Sequence, residues 1–170
     1  MKNKKIFLVG LMGSGKTTIG KFLAKKLNYY FIDSDLLIEE KTGVKVPLIF
    51  EYEGETGFRK REAKILSEVV EKENIVLSTG GGIILAKENR QKLSNNGFVI
   101  YLNADIEELV ERLAGDKNRP LLKNVDIRSK LCELLDQRSA LYESVADYII
   151  NTKNKRVSEI ASEIIENLKS

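Results

Sequence analysis

The chain contains no histidine, so any proton that it moves must be carried by a carboxylate, a lysine, a tyrosine or its one cysteine. That single cysteine, Cys132, excludes an intramolecular disulfide and fits a reducing compartment. It lies in the helical pattern Lys130-Leu-Cys-Glu-Leu-Leu135 and reads as a small core side chain rather than a nucleophile. No apolar run reaches 18 residues, so no membrane-spanning helix is expected. Charge is equally undramatic: 28 basic residues against 25 acidic ones leave +3, without a block of five or more basic residues. That balance argues against a nucleic-acid surface. The basic start, Met1-Lys-Asn-Lys-Lys5, is followed by only four apolar residues, so no secretory segment is expected and the location should be cytoplasmic. Proline is scarce as well. Pro47 and Pro120 each mark an interruption in the periodicity, where the preceding residue is pushed away from helical geometry.

What remains is an ordinary globular composition, 42% hydrophobic and 31% charged, in a chain long enough for one domain over residues 1–170. A chain of this length buries about 70% of its unfolded surface. Apolar runs suited to buried strands occupy 6–9, 30–32, 75–77, 98–102 and 148–150, with helical periodicity between them. Val157, Ile160, Ala161, Ile164, Ile165 and Leu168 share one helical face; Ala63, Leu66, Val69 and Val70 mark another, and Leu109, Val110 and Leu113 a third. Alternation of this kind predicts an α/β fold, three layers α/β/α around a five-stranded parallel sheet. Two stretches break it. Residues 34–60 hold a short helix ending near Gly43 and then a mixed segment, and residues 114–124 are polar and break a helix. In a nucleotide-binding α/β domain such excursions serve as a substrate region and a lid, or are plain surface loops.

The most specific motif is Gly10-Leu-Met-Gly-Ser-Gly-Lys16-Thr17, directly after the first apolar run and before an amphipathic one (Ile19, Phe22, Leu23, Leu27). Four residues between the first glycine and Gly-Lys-Thr make a phosphate-binding loop. Its backbone N–H groups wrap phosphates, its lysine reaches the β- and γ-phosphates, and its threonine hydroxyl reaches Mg²⁺. Two more clusters follow predicted strands: Asp33-Ser34-Asp35, and Gly80-Gly81-Gly82 after Ile75-Val-Leu-Ser-Thr79. In a parallel sheet, ligands lie beyond the carboxyl ends of the strands, so all three should share one edge. The aspartates can hold Mg²⁺ through water and face an acceptor hydroxyl, or Ser34 or Asp35 can simply cap the next helix. The glycines can admit a ligand to the main chain or form a flexible turn. Arg59 and Glu62, three apart on a predicted helix beside Phe58, form either a carboxylate clamp or an exposed ion pair; Arg138 is equally open.

Taken in order, these motifs resemble the shikimate kinases over nearly the whole chain. The matching run is the phosphate loop, Asp33-Ser-Asp35, Ile49-Phe50 with Gly54-Glu55 and Phe58-Arg59 plus Glu62, Gly80-Gly-Gly82, Arg119-Pro-Leu-Leu, and Arg138 with Leu141-Tyr142. The resemblance implies a phosphate-loop kinase that moves the γ-phosphoryl group of MgATP to the 3-hydroxyl of shikimate. It implies nucleotide contacts from Gly13, Ser14, Gly15, Lys16, Thr17, Thr18, Arg112, Arg119 and Lys155, with Arg156 as the alternative to Lys155. Shikimate would meet Asp35, Arg59, Gly81 and Arg138; Mg²⁺ would meet Thr17 directly and Asp33 through water. Lys16, Asp35 and Arg119 would be catalytic, with Asp35 the base. Leu48 stands where the family commonly carries an acidic residue, a departure at the rim of the substrate region. Expected partners are ATP, ADP and shikimate, without nucleic acid or membrane, in a monomer. The nearest alternatives are a gluconate or nucleoside monophosphate kinase and a non-catalytic nucleotide-binding module. A GTPase switch is disfavoured because Asn154-Lys-Arg-Val157 lacks the aspartate of a guanine reader.

Overall fold

The computed structural model describes residues 5–169. Five parallel strands, β1 (Lys5–Val9), β2 (Tyr30–Asp33), β3 (Ile75–Ser78), β4 (Phe98–Asn103) and β5 (Tyr148–Asn151), form one sheet in the order β2-β3-β1-β4-β5. The register pairs Phe7 with Leu77 and with Val99, which brings the carboxyl ends of β1, β3 and β4 level. β1 and β3 are buried along almost their whole length, as strands covered on both faces must be. Successive side chains point to opposite faces. Phe7, Val9, Ile75 and Leu77 enter the larger core, beneath helices α3 (Val46–Val69), α4 (Lys87–Asn96), α5 (Ile106–Leu113) and α6 (Ile127–Val145). Ile6, Leu8, Val76 and Ile100 enter the other, beneath α1 (Lys16–Leu27) and α7 (Val157–Lys169). The three-layer α/β/α arrangement expected from the alternation is therefore present. Among the described residues no helix is long and apolar enough to cross a membrane.

The segment after the short helix α2 (Ser34–Thr42) departs from the sequence-based expectation. α2 ends at the left-handed Gly43, as expected, but residues 46–60 are helical rather than mixed. Pro47 sits in the first turn of α3, where its missing N–H costs nothing, so it opens a helix instead of interrupting one. α3 bends sharply at Gly54 (φ 68°, ψ −178°), a conformation open to glycine. Residues 51–56 are exposed, which removes the apolar period that would have revealed the helix. Pro120 likewise opens a 3₁₀ turn, Pro120–Leu122, in the stretch between α5 and α6. Cys132 is half-buried on α6 rather than in the core. The buried face of that helix runs through Leu131, Leu134, Arg138, Tyr142 and Val145.

Candidate active site

The loop after β1 turns on three glycines with positive φ: Gly10 (149°), Gly13 (78°) and Gly15 (93°). A Cβ on Gly10 would stand 2.7 Å from the Leu102 carbonyl oxygen, so strand β4 also demands glycine there. Gly15 leads into α1, whose first turn has no acidic residue and no side-chain cap. Its free N–H groups and positive dipole end make a ready anion site. Lys16 folds back over the loop and donates to the Gly10 and Leu11 carbonyls, both at 2.8 Å. Burial, helped by the nearby positive Arg119, lowers its pKa to about 8.

At the end of β2, Asp33 does two things at once. Its Oδ1 caps α2 by accepting the N–H groups of Asp35 (3.0 Å) and Leu36 (3.1 Å). Its Oδ2 accepts the Thr17 hydroxyl at 2.8 Å. The cap is thus Asp33, not Ser34 or Asp35. Ser34 instead accepts the Gly80 N–H at 3.0 Å, and Asp35 faces the cavity with a buried Oδ1 that has no partner. Burial, and then the charge of Asp33, raise the Asp35 pKa above the usual carboxylate value.

The triple glycine follows β3 and lies between these two groups, because β3 separates β2 from β1. None of the three has positive φ; what they supply is room. A Cβ on Gly80 would crowd Glu62 Oε2, and one on Gly82 would overlap the Arg59 guanidinium. Arg59 is held by Glu62 Oε1 (2.9 Å to Nη1) and by Glu55 Oε1 (3.1 Å to Nη2, 3.3 Å to Nε). It is not the exposed ion pair of the alternative reading: Glu62 is 0% exposed, and burial raises its pKa to about 7 against the pull of Arg59. Arg138, 3% exposed, comes from α6 to the same turn, with Nη1 3.5 Å from the Cβ position of Gly81.

One cavity of about 940 Å³ runs along this edge of the sheet. Lining it are Gly13, Ser14, Gly15, Lys16, Thr17 and Thr18 of the loop, Asp33 and Asp35, and Arg59, Gly81 and Arg138. Arg112, Arg119 and Lys155 line it too; Arg156 does not. Each of these last three cations has a local partner: Arg112 donates to the Gly13 carbonyl (2.9 Å), Arg119 to Asp116 (3.3 Å) and Lys155 to Glu163 (2.6 Å). Arg156 instead pairs with Glu159 at the surface. Sequence reasoning passed over Ser78, whose hydroxyl lies 3.3 Å from that of Thr17, and Thr152, whose buried hydroxyl has no partner. It also passed over Asp116. Only the strand-end positions of Ser78 and Thr152 marked them. Thr17, Asp33 and Ser78 bring hydroxyl and carboxylate oxygens together, a donor set suited to a small hard cation. Among the described residues no group of three or more acidic, histidine or cysteine side chains could hold a metal by itself.

A phosphate loop at one end of such a cavity, with a buried carboxylate and two arginines at the other, defines a phosphate-loop kinase of small molecules. Residues 12–169 match the shikimate kinase family. A shikimate kinase from Nitrosococcus oceani is 52% identical over 99% of this chain and 89% of its own. The structure of shikimate kinase from Acinetobacter baumannii in complex with shikimate superposes with a TM-score of 0.95 at 44% identity, covering 98% of this chain and 93% of the other. A gluconokinase from Sinorhizobium meliloti, 16% identical with a TM-score of 0.61 over 99% of this chain and 93% of its own, shares the fold alone. The chain belongs to the shikimate kinase family. It is an ATP-dependent kinase acting on a hydroxyl group.

Proposed function

We propose that the chain transfers the γ-phosphoryl group of ATP to the 3-hydroxyl of shikimate, with Lys16, Asp35 and Arg119 acting on the reacting groups. The observation that carries this reading is the cavity that joins the phosphate loop to the half-buried Asp35 and Arg59 and the buried Arg138. On the donor side, the loop N–H groups from Gly13 to Thr18 and the Lys16 ammonium receive the phosphates, with Arg112 and Lys155 beside the adenosine. Residues 114–124 act as a lid that carries Arg119 onto the phosphates. On the acceptor side, the substrate region over 34–60 contributes Asp35 and Arg59. Arg59 and Arg138 hold the carboxylate of shikimate through charge-assisted hydrogen bonds, and Gly81 offers its main chain.

The hydroxyl oxygen forms a bond to the γ-phosphorus while the bond from that phosphorus to the bridging oxygen breaks, and ADP leaves with the electron pair. The hydroxyl proton passes to Asp35, whose raised pKa makes it a better acceptor than an ordinary aspartate. Phosphoryl transfer needs little covalent help, so positioning and charge neutralisation account for most of the acceleration. Thr17 and Asp33 would hold Mg²⁺, which when bound neutralises phosphate charge. A cytoplasmic location accords with a chain that carries one cysteine and so no intramolecular disulfide.

The test is release of ADP by the purified chain with MgATP and shikimate, quinate or gluconate. Shikimate should be strongly preferred; gluconate turnover at an equal or greater rate would refute the assignment. Asp35→Asn should abolish turnover and leave ATP binding nearly intact, and near-normal turnover would remove Asp35 from its role.

A further inference from the structure

We infer that the Tyr142 hydroxyl is a positioning residue for the acceptor half of the site, locking the Gly81 peptide against the Arg138 guanidinium. The inference rests on the proposed reaction. Tyr142 follows Arg138 by four residues on α6, so the two side chains lie on one helical face. Its ring is 0% exposed and stacks on Tyr101 of β4 at 5.0 Å between centroids, with 25° between planes. Packing of that kind needs only a phenylalanine. A buried hydroxyl adds a desolvation cost unless it finds a partner. Here its partner is the Gly81 carbonyl oxygen, to which it donates across 61 residues of sequence. The Arg138 guanidinium stands beside the Tyr142 hydroxyl as well.

Gly81 needs such an anchor. Three consecutive glycines are entropically costly to order, and the turn is fixed at a few points only. Gly80 is held by the Ser34 hydroxyl at its N–H and by the Ile83 N–H at its carbonyl (3.1 Å). The Gly82 carbonyl accepts the Leu85 N–H (3.1 Å). Between them, the side-chain hydrogen bond to Gly81 is that of Tyr142. The Cβ position of Gly81 is also 3.4 Å from the Met12 amide nitrogen and 3.5 Å from Arg138 Nη1. The turn therefore touches the phosphate loop on one side and the acceptor's arginine on the other. Arg138 has its own need for orientation, because its Nε is buried without a partner. One hydroxyl thus sets two groups that meet the same acceptor.

Tyr142→Phe keeps the ring stack and deletes only the hydroxyl. Loss of one buried hydrogen bond predicts a roughly five- to twentyfold rise in the KM and Kd for shikimate, with the KM for ATP changed less than twofold. Tyr101→Phe, which also keeps the stack, serves as the control and should leave both KM values unchanged. Steady-state kinetics, calorimetric titration with shikimate and thermal melting of all three proteins read the result. Unchanged shikimate affinity overturns the inference. So does a parallel loss for ATP and shikimate, or a variant that fails to fold, since each makes the hydroxyl merely structural. Failure of the underlying reading shows itself differently, as a wild-type chain that does not phosphorylate shikimate.

Discussion

Glu62→Gln separates what a buried carboxylate costs the fold from what it does for Arg59. Glu62 is 0% exposed, accepts Arg59 Nη1 at 2.9 Å through Oε1, and buries Oε2 without a partner beside Gly80. Burial lifts its pKa from 4.5 to about 7 in the folded chain, against the opposing pull of Arg59. Between those two values the folded protein holds a proton that the unfolded chain has released, so stability falls as pH rises through this window. The whole difference is worth about 3 kcal/mol above pH 7, of which about 2 kcal/mol accrues between pH 5.5 and 8. Glutamine keeps the shape and an acceptor for Arg59 but does not titrate. The variant's own stability thus carries no pH slope from this position. The Tm of the variant relative to wild type should therefore climb by roughly 4–8 °C between pH 5.5 and pH 8. Scanning calorimetry at several pH values in one ionic strength measures it. Parallel Tm curves for the two proteins would refute the reasoning, because they would mean that Glu62 titrates alike folded and unfolded.

Arg59→Ala should raise the KM for shikimate by roughly ten- to a hundredfold, the loss of one charge-assisted contact, and leave the KM for ATP nearly unchanged; steady-state kinetics with each substrate varied decides it. Gly82→Ala should fold normally yet raise the KM for shikimate severalfold, because the new methyl group displaces the Arg59 guanidinium from its place; equal shikimate affinity would show that Arg59 has slack. Lys155→Ala should weaken ATP binding severalfold and Arg156→Ala should not, since only Lys155 lines the cavity; calorimetric titration with ATP distinguishes them.

Much of the fold was legible because its central strands β1, β3 and β4 are short apolar runs buried on both faces, a signal that needs no partner to be read. β3 is an example: Ile75, Val76 and Leu77 are all at most 1% exposed. The face of α7 stood out because Ile160, Ala161 and Ile164 pack where their period says they should. The first half of α3 was illegible for the converse reason, being exposed on most sides and bent at Gly54. Cys132 was misplaced by one step around α6, whose buried face carries Arg138 and Tyr142 among its leucines. A polar arginine at a buried position breaks the apolar pattern from which a helical face is inferred.

Local chemistry could be read directly from the chain. Gly13, Gly15, Lys16 and Thr17 are consecutive enough that steric and hydrogen-bonding rules alone make them a phosphate loop. Asp33 and Asp35 likewise declare themselves by falling just beyond an apolar strand. What those groups meet depends on the strand order β2-β3-β1, which inserts the glycine turn between the aspartates and the loop. The same packing buries Glu62 beside Gly80 and brings Tyr142 to Gly81. Such contacts join residues up to 61 positions apart. No spacing rule encodes them, because burial and orientation arise only when the whole sheet and its covering helices close together.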